Sequence, residues 1–257
     1  MESILTVEHL SVSFTRYSRG LARTELSAVR DLSLTVEPGR VTALVGESGS
    51  GKSLLAHAIL HLLPRNAQVS GTLLYDGAPL TRDRAETLRG REIALIPQGV
   101  TWLDPMMKVG PQVRRGRVDA ASRARCREVL DRYGLGPQVE ELYPFELSGG
   151  MARRVLIACA VMDSPRLIVA DEPTPGLDIR AAGRVLGHFR ELAEEGAGVL
   201  FITHDLELAL TVAHKLVVLY EGQTVEELSP TRFRAGEGLA HPYTRALWHA
   251  IPENNFL

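Results

Sequence analysis

The residues Gly46-Glu47-Ser48-Gly49-Ser50-Gly51-Lys52-Ser53 carry the pattern GxxxxGKS. They follow the apolar run Val41–Val45 and precede an apolar helical stretch, the context a phosphate-binding loop requires. Glycines let the backbone wrap a phosphate with its amide N–H groups pointing inward. A helix that begins near Lys52 adds its positive dipole end. In such a loop Lys52 reaches the β- and γ-phosphates of ATP, and the Ser53 hydroxyl ligates Mg²⁺.

A second group of residues could complete that chemistry. Leu167-Ile-Val-Ala-Asp171-Glu172 is a short apolar strand that delivers two acids to its C-terminal end. Asp171 can hold Mg²⁺ or its water shell. Glu172 can orient or deprotonate an attacking water, a role worth about 10²–10⁴-fold in rate. Gln98 follows the run Ile93–Pro97, and His204 follows Val199–Thr203. Gln98 could ligate Mg²⁺ or position water, and His204 could hydrogen-bond a γ-phosphate. A single histidine after a strand is ordinarily a turn residue; the neighbouring chemistry gives His204 its weight. Leu147-Ser148-Gly149-Gly150-Met151 opens a helix over Met151–Met162. Ser148 suits the N-cap and the glycines leave helix-terminal amides bare, which makes a second anion site.

The elements that must hold these groups are legible in the pattern. Ile4–Val7 and Val12–Phe14 read as short strands, Thr15–Glu25 as an exposed turn, and Val29–Val36 as a half-buried strand. Glu37-Pro-Gly39 is a turn. The opening is therefore antiparallel β. From Val41 onward, continuously apolar strands alternate with helical patterns at Ser53–Leu63, Ala181–Glu195 and Leu206–Ala213. That alternation predicts a largely parallel sheet covered on both faces, with ligands at the C-terminal strand edge. Pro64 marks the predicted end of the first helix. Leu216–Tyr220 and Gln223–Val225 predict a late hairpin, and the arginine-rich segment from about 99 to 147, with a helix at Ala120–Tyr133, predicts an inserted helical subdomain.

Composition narrows the setting. The 257 residues are 45% hydrophobic, enough for a sizeable core. A net charge of −2 gives no global attraction to nucleic acid or anionic lipid. The two cysteines, Cys126 and Cys159, form no CxxC pair, which fits a reducing, cytosolic compartment. The N-terminal residues lack the features of a signal peptide. No run approaches the roughly 18 apolar residues of a membrane span. Membrane work would need spans from another chain.

Taken together, these residues resemble the nucleotide-binding subunits of ABC transporters. The order matches throughout: the loop at 46–53, Gln98, the signature Leu147–Met151, the pair Asp171-Glu172, Gly176-Leu177-Asp178 and the switch histidine His204. The resemblance covers essentially the whole chain. It implies an α/β phosphate-loop core with a mainly parallel sheet, an N-terminal antiparallel β part and an inserted helical subdomain at about 99–150. It also implies a head-to-tail pair of ATPase subunits, each ATP lying between one loop and the partner's Ser148, Gly149 and Gly150. Phe14 is the implied adenine-stacking residue, with Tyr17 second; core packing is the lesser alternative for both. Implied partners are a second, similar ATPase subunit in a heterodimer, two membrane permease subunits and an external binding protein, with the chain on the cytoplasmic face of the membrane.

The tail at about 228–257 contains His241-Pro-Tyr243-Thr244-Arg-Ala-Leu247, which resembles the C-terminal motif of the peptide/nickel class of ABC importers. Tyr143–Met151 resembles that class as well. The cysteine-bearing extension of many peptide importers is not in this sequence, so the resemblance leans to nickel or another chelated metal, with peptide import as the alternative. A soluble ABC ATPase acting on DNA or the ribosome is more distant, because neither heptad arms nor a second ATPase unit is present. Gly99-Val100 stands where Asp-Pro is frequent, and Pro175-Gly176 where Ser-Ala is frequent. His57 and His61 share a helical face but lack further metal ligands, so packing is their expected role. The run Arg114, Arg115, Arg117, Arg123, Arg125, Arg127, Arg132 reads as a solvated helical face rather than a nucleic-acid surface.

Overall fold

The apolar runs of the sequence become the centre of one ten-stranded mixed sheet in a computed structural model that describes residues 3–17 and 23–251. The strands are β1 (Leu5–Tyr17), β2 (Arg23–Val36), β3 (Val41–Gly46), β4 (Ala67–Tyr75), β5 (Ala78–Pro79), β6 (Ile93–Ile96), β7 (Leu167–Asp171), β8 (Gly198–Thr203), β9 (Lys215–Tyr220) and β10 (Gln223–Leu228). Their spatial order is β5-β4-β1-β2-β10-β9-β3-β8-β7-β6. From β9 to β6 neighbouring strands are parallel, and β1, β2, β4 and β5 pair antiparallel. The two parts meet where β10 runs beside β2, through the pair Gln223↔Asp31. The expected α/β core with an antiparallel opening is therefore present.

Nine α-helices flank the strands among the described residues: α1 (Lys52–Ile59), α2 (Arg82–Leu88), α3 (Val109–Val113), α4 (Ala120–Arg132), α5 (Gly149–Val161), α6 (Ile179–Glu194), α7 (Leu206–Val212), α8 (Pro230–Ala235) and α9 (Pro242–His249). Helices α3 to α5 lie between β6 and β7 in the chain, which is the helical insertion the pattern predicted. They bury Val109, Val113, Cys126, Val129, Tyr133 and Val155 together.

Alternation along the parallel strands divides the interior into two cores. Val41, Ala43, Val45, Ile168 and Ala170 face the helical insertion and α6. Leu44, Val169, Leu200, Ile202 and Val217 face the other way, onto α1 and the antiparallel strands. Helix α1 contributes Leu55, Ala56, Ala58 and Ile59 to that second core, beside Ile4, Leu5, Val7, Leu10 and Val12 of the N-terminal segment.

The N-terminal reading is corrected in three places. Ile4–Val7 and Val12–Phe14 are parts of one long strand, interrupted by a register shift at His9, which has φ 51. Such a bulge breaks the alternation that marks a strand in sequence. Thr15–Glu25 is not all turn: the ladder continues through Thr15↔Glu25, Arg16↔Thr24 and Tyr17↔Arg23, and residues 18–22 are outside those described. Helix α1 stops at Ile59 rather than Leu63, because His61 takes φ 50 and the Leu62 amide turns back to the His57 carbonyl at 2.8 Å. Pro64 is not the terminator. His61 then sits outside the helix, with Nε2 2.6 Å from the Leu80 carbonyl oxygen, and does not share a helix face with His57.

The arginine run is largely paired within the chain. Arg114 and Arg127 reach Glu140, Arg115 and Arg117 reach Asp163, Arg125 reaches Glu128, and Arg132 reaches Glu191.

Candidate active site

Register brings the C-terminal ends of four parallel strands to one edge. Val45 of β3 lies opposite Thr203 of β8, Asp171 of β7 opposite Ile202, and Ile96 of β6 opposite Ala170. The residues that follow these ends are the phosphate loop, His204, Glu172 and Gln98. A cleft of about 280 Å³ is lined by Ser48, Gly49, Gly51, Lys52, Ser53, Leu54, Gln98 and Glu172.

The loop is shaped by backbone constraints. Gly46 packs against β9, and a Cβ there would lie 2.2 Å from the Leu219 carbonyl oxygen. Gly51 caps α1 in the left-handed region at φ 96 and offers no side chain to the helix amides. The first amides of α1 therefore remain available to an anion. Lys52 folds back over the loop, with Nζ donating to the Gly46 carbonyl at 2.8 Å and the Glu47 carbonyl at 2.7 Å. Burial holds its ammonium below the ordinary lysine range, opposed by the charges of Glu172, Asp171 and Glu47. The Ser50 hydroxyl is buried without a partner.

The acids sit directly beside the loop. The Ser53 hydroxyl donates to Asp171 Oδ1 at 3.1 Å. Burial pushes the Asp171 carboxyl up, the Ser53 hydrogen bond works against that rise, and the Glu172 charge adds to it. A hydroxyl and a carboxylate in contact are hard oxygen donors of the kind Mg²⁺ selects. Among the described residues no group of three or more His, Cys, Asp or Glu is placed to hold a metal ion. A cation at Ser53 and Asp171 would thus complete its shell with phosphate and water, as Mg²⁺ in phosphoryl-transfer sites does.

Glu172 is held in a strained conformation. Its backbone has φ 48, while its amide continues the β7–β8 ladder to the Ile202 carbonyl at 3.0 Å. A non-glycine residue in this region costs about 1–3 kcal/mol and persists where surrounding structure enforces it. The turn buries the Glu172 side chain and aims it across at β8. Oε1 accepts the His204 backbone amide at 3.1 Å and lies 2.7 Å from His204 Nδ1. Oε2 is buried with no partner.

Arg153 of α5 ties this edge together, and the sequence reading passed over it. Its guanidinium donates to the Glu172 carbonyl and to the Gln98 carbonyl, both at 2.7 Å. Burial lowers its pKa, against the pull of Glu172. Two adjacent arginines inside the otherwise apolar stretch Met151–Val161 were the available signal.

Two groups of expected site residues stand apart. Ser148 caps α5 by accepting the Met151 amide at 3.3 Å, and Ser148, Gly149 and Gly150 do not line the cleft. Phe14 pairs with Leu26 and Ala67 in the ladder and packs against the second core; it does not line the cleft either. The side chain of Tyr17 is outside those described.

A family model described as "ABC transporter" matches residues 29–175. An oligopeptide transport ATP-binding protein of Lactococcus lactis subsp. cremoris is 36% identical over 98% of this chain and 76% of its own length. A dipeptide transport ATP-binding protein of Escherichia coli is 37% identical over 98% of this chain and 79% of its own length. A bacterial ABC transporter cassette, solved in a post-hydrolysis state with ADP and phosphate, superposes with a TM-score of 0.76 at 26% identity. That likeness covers 88% of this chain and 98% of the cassette.

Proposed function

The chain belongs to the ABC transporter family, and from that premise we propose that it hydrolyses ATP at the 46–53 loop to drive peptide import. It is an ABC-type ATPase. The observation that carries the site assignment is the meeting of Lys52, Ser53, Gln98 and Glu172 in one cleft.

In this reading Lys52 leaves the Gly46 and Glu47 carbonyls for the β- and γ-phosphates, and the backbone of Glu47, Ser48, Gly49, Ser50 and Gly51 supplies amide donors. Ser53, Asp171 and Gln98 hold Mg²⁺, which when bound offsets phosphate charge. The free Oε2 of Glu172 accepts the proton of the water that attacks the γ-phosphorus. The bond from that phosphorus to the bridging oxygen breaks, and ADP and phosphate result. His204 holds Oε1, which leaves Oε2 as the oxygen without a partner. Ser148, Gly149 and Gly150 serve the ATP of a partner subunit; that they do not line this chain's own cleft supports the assignment.

The catalytic unit is one domain over 1–257, with the helical part at about 99–150 carrying the signature and a tail at about 228–257. No helix among the described residues is long and apolar enough to cross a membrane. The spans come from two permease subunits, and the chain sits at the cytoplasmic face of the membrane as a peripheral subunit. Its further partners are a second, similar ATPase and an external binding protein.

For the cargo, the sequence alone favours nickel. The relatives are named for oligopeptide and dipeptide transport, which moves the reading to peptide. The test is to purify the assembled complex with its binding protein and identify the co-purified ligand by metal analysis and mass spectrometry. Peptide without metal, together with peptide-stimulated phosphate release, is the expected result. Stoichiometric nickel without peptide overturns the cargo reading.

A further inference from the structure

The tail motif that marks the importer class has no role in the site as described so far, yet it reaches the phosphate loop. Helix α9 begins at Pro242, with His241 as its N-cap. Its entry is pinned to β10: Glu226 accepts the Ala240 amide at 3.0 Å and the His241 amide at 3.2 Å. Thr244 is fully buried on the inner face. This anchoring directs Tyr243 onto Tyr220, the last residue of β9, with ring centroids 4.4 Å apart and planes inclined by 27°.

Tyr220 follows Leu219, whose carbonyl oxygen is the surface on which Gly46 rests. The Tyr243 hydroxyl is buried and has no hydrogen-bond partner. Glu47, through its charge and its main chain, and Tyr220 act on it electrostatically. Burial pushes the phenol pKa up, the Glu47 charge adds to the rise, and the Glu47 backbone draws it down. Glu47 is also the residue whose carbonyl receives Lys52. The first turn of the loop is therefore backed on its outer side by β9 and by the tail, while Lys52 holds it from within.

We propose that Tyr243 is a positioning residue of the nucleotide site: stacked on Tyr220, it presents its buried hydroxyl to the Glu47 backbone and sets the loop that receives the ATP phosphates. A buried oxygen without a full partner is costly. It acquires one when the loop tightens around phosphate and the Glu47 amide closes on it. The tail motif thereby contributes to ATP affinity and not to the chemical step. This inference rests on the assignment of residues 46–53 as the ATP site.

The test compares Tyr243→Phe with the unaltered chain in the assembled complex, with Lys52→Ala as a control on the site itself. ATP affinity is read with a fluorescent ATP analogue, turnover by phosphate release, and folding by Tm. Tyr243→Phe keeps the ring and its stack on Tyr220 and removes only the hydroxyl. The expected result is a rise of about three- to tenfold in KM and Kd for ATP, with kcat within about twofold and Tm unchanged. An unchanged KM and Kd overturns the inference, and so does a fall in Tm accompanied by equal losses of kcat and kcat/KM. If Lys52→Ala binds ATP normally, the site assignment itself fails. Loss of binding in Lys52→Ala with none in Tyr243→Phe overturns the tail's role alone.

Discussion

Glu172 and His204 meet through a single carboxylate oxygen: Oε1 takes both the His204 amide and the ring nitrogen, and Oε2 is left buried and bare. One oxygen is occupied, and the other is the one to which the proposed mechanism gives the proton. Glu172→Gln keeps the shape but supplies an amide where a base is needed. ATP binding should persist while phosphate release in the complex falls by about 10²–10⁴-fold. Near-normal steady-state turnover in that variant removes Glu172 from the role of base.

Arg153 bonds to the Gln98 and Glu172 carbonyls at the same time. Bonds from a charged donor are worth about 1.5–3 kcal/mol each. Arg153 is only half-buried and its bond to Gln98 is exposed, so solvent discounts that sum: Arg153→Ala should cost about 2 kcal/mol and lower Tm by about 4–8 °C, with a loss of kcat as Gln98 and Glu172 drift apart. Arg153→Lys retains the charge but has no fork to span two carbonyls, so it should recover only part of both. Full activity in the lysine variant would mean that charge alone suffices at this position.

Gly46 and Gly49 belong to one loop and differ in what surrounds them. A Cβ at Gly46 meets a backbone oxygen at 2.2 Å, whereas at Gly49, with φ 83, nothing lies within 4 Å. Gly46→Ala should destabilise by about 3 kcal/mol, because no rotamer relieves a clash with main chain. Gly49→Ala should cost only the left-handed backbone, about 1–2 kcal/mol. Thermal melts of both variants check the ordering, and equal losses contradict the packing of Gly46 on Leu219.

His188 supplies a pH dependence remote from the nucleotide. It is buried on α6 and bonded to the Tyr133 hydroxyl. Burial, reinforced by Arg132 and Arg125, pushes its pKa down to about 4. An unfolded histidine titrates near 6.5, so between those values the unfolded chain binds the extra proton. Stability is complete above about pH 6.5 and is lost as pH falls toward about 4. Going from pH 7 to pH 5 should cost about 2 kcal/mol through this residue alone. Urea midpoints for the unaltered chain and His188→Gln at both pH values test it: the variant should show a shallower dependence.

The chemistry of this chain was more legible in its sequence than its edges were. The loop 46–53 and the strand ending in Asp171-Glu172 are local patterns whose spacing fixes their geometry, and the strand ends meet as that spacing implies. Strands β4 and β5 and helix α2 left no comparable trace. The alternation Ala67-Gln68-Val69-Ser70 is short and breaks at Gly71, and Gln68–Thr72 is exposed throughout, so β4 has no sustained buried face to announce it. The bulge at His9 and the stop at His61 are single-residue left-handed backbone events, which no periodic pattern announces. Arg153 escaped notice because its partners are carbonyls, which every residue has. The relatives' names favour the peptide alternative over nickel, a choice on which no residue of the nucleotide site bears.

Helix α1 carries Lys52 and Ser53 at one end and is enclosed along its length by the parallel strands on one side and the antiparallel strands on the other. Close-packed interiors transmit displacement rather than absorb it. A load placed on the amides at the head of α1 therefore bears on both halves of the sheet together. Edge to edge the halves share the single ladder pair Gln223↔Asp31, so the helix packed between them couples over its length what the ladder joins at one point.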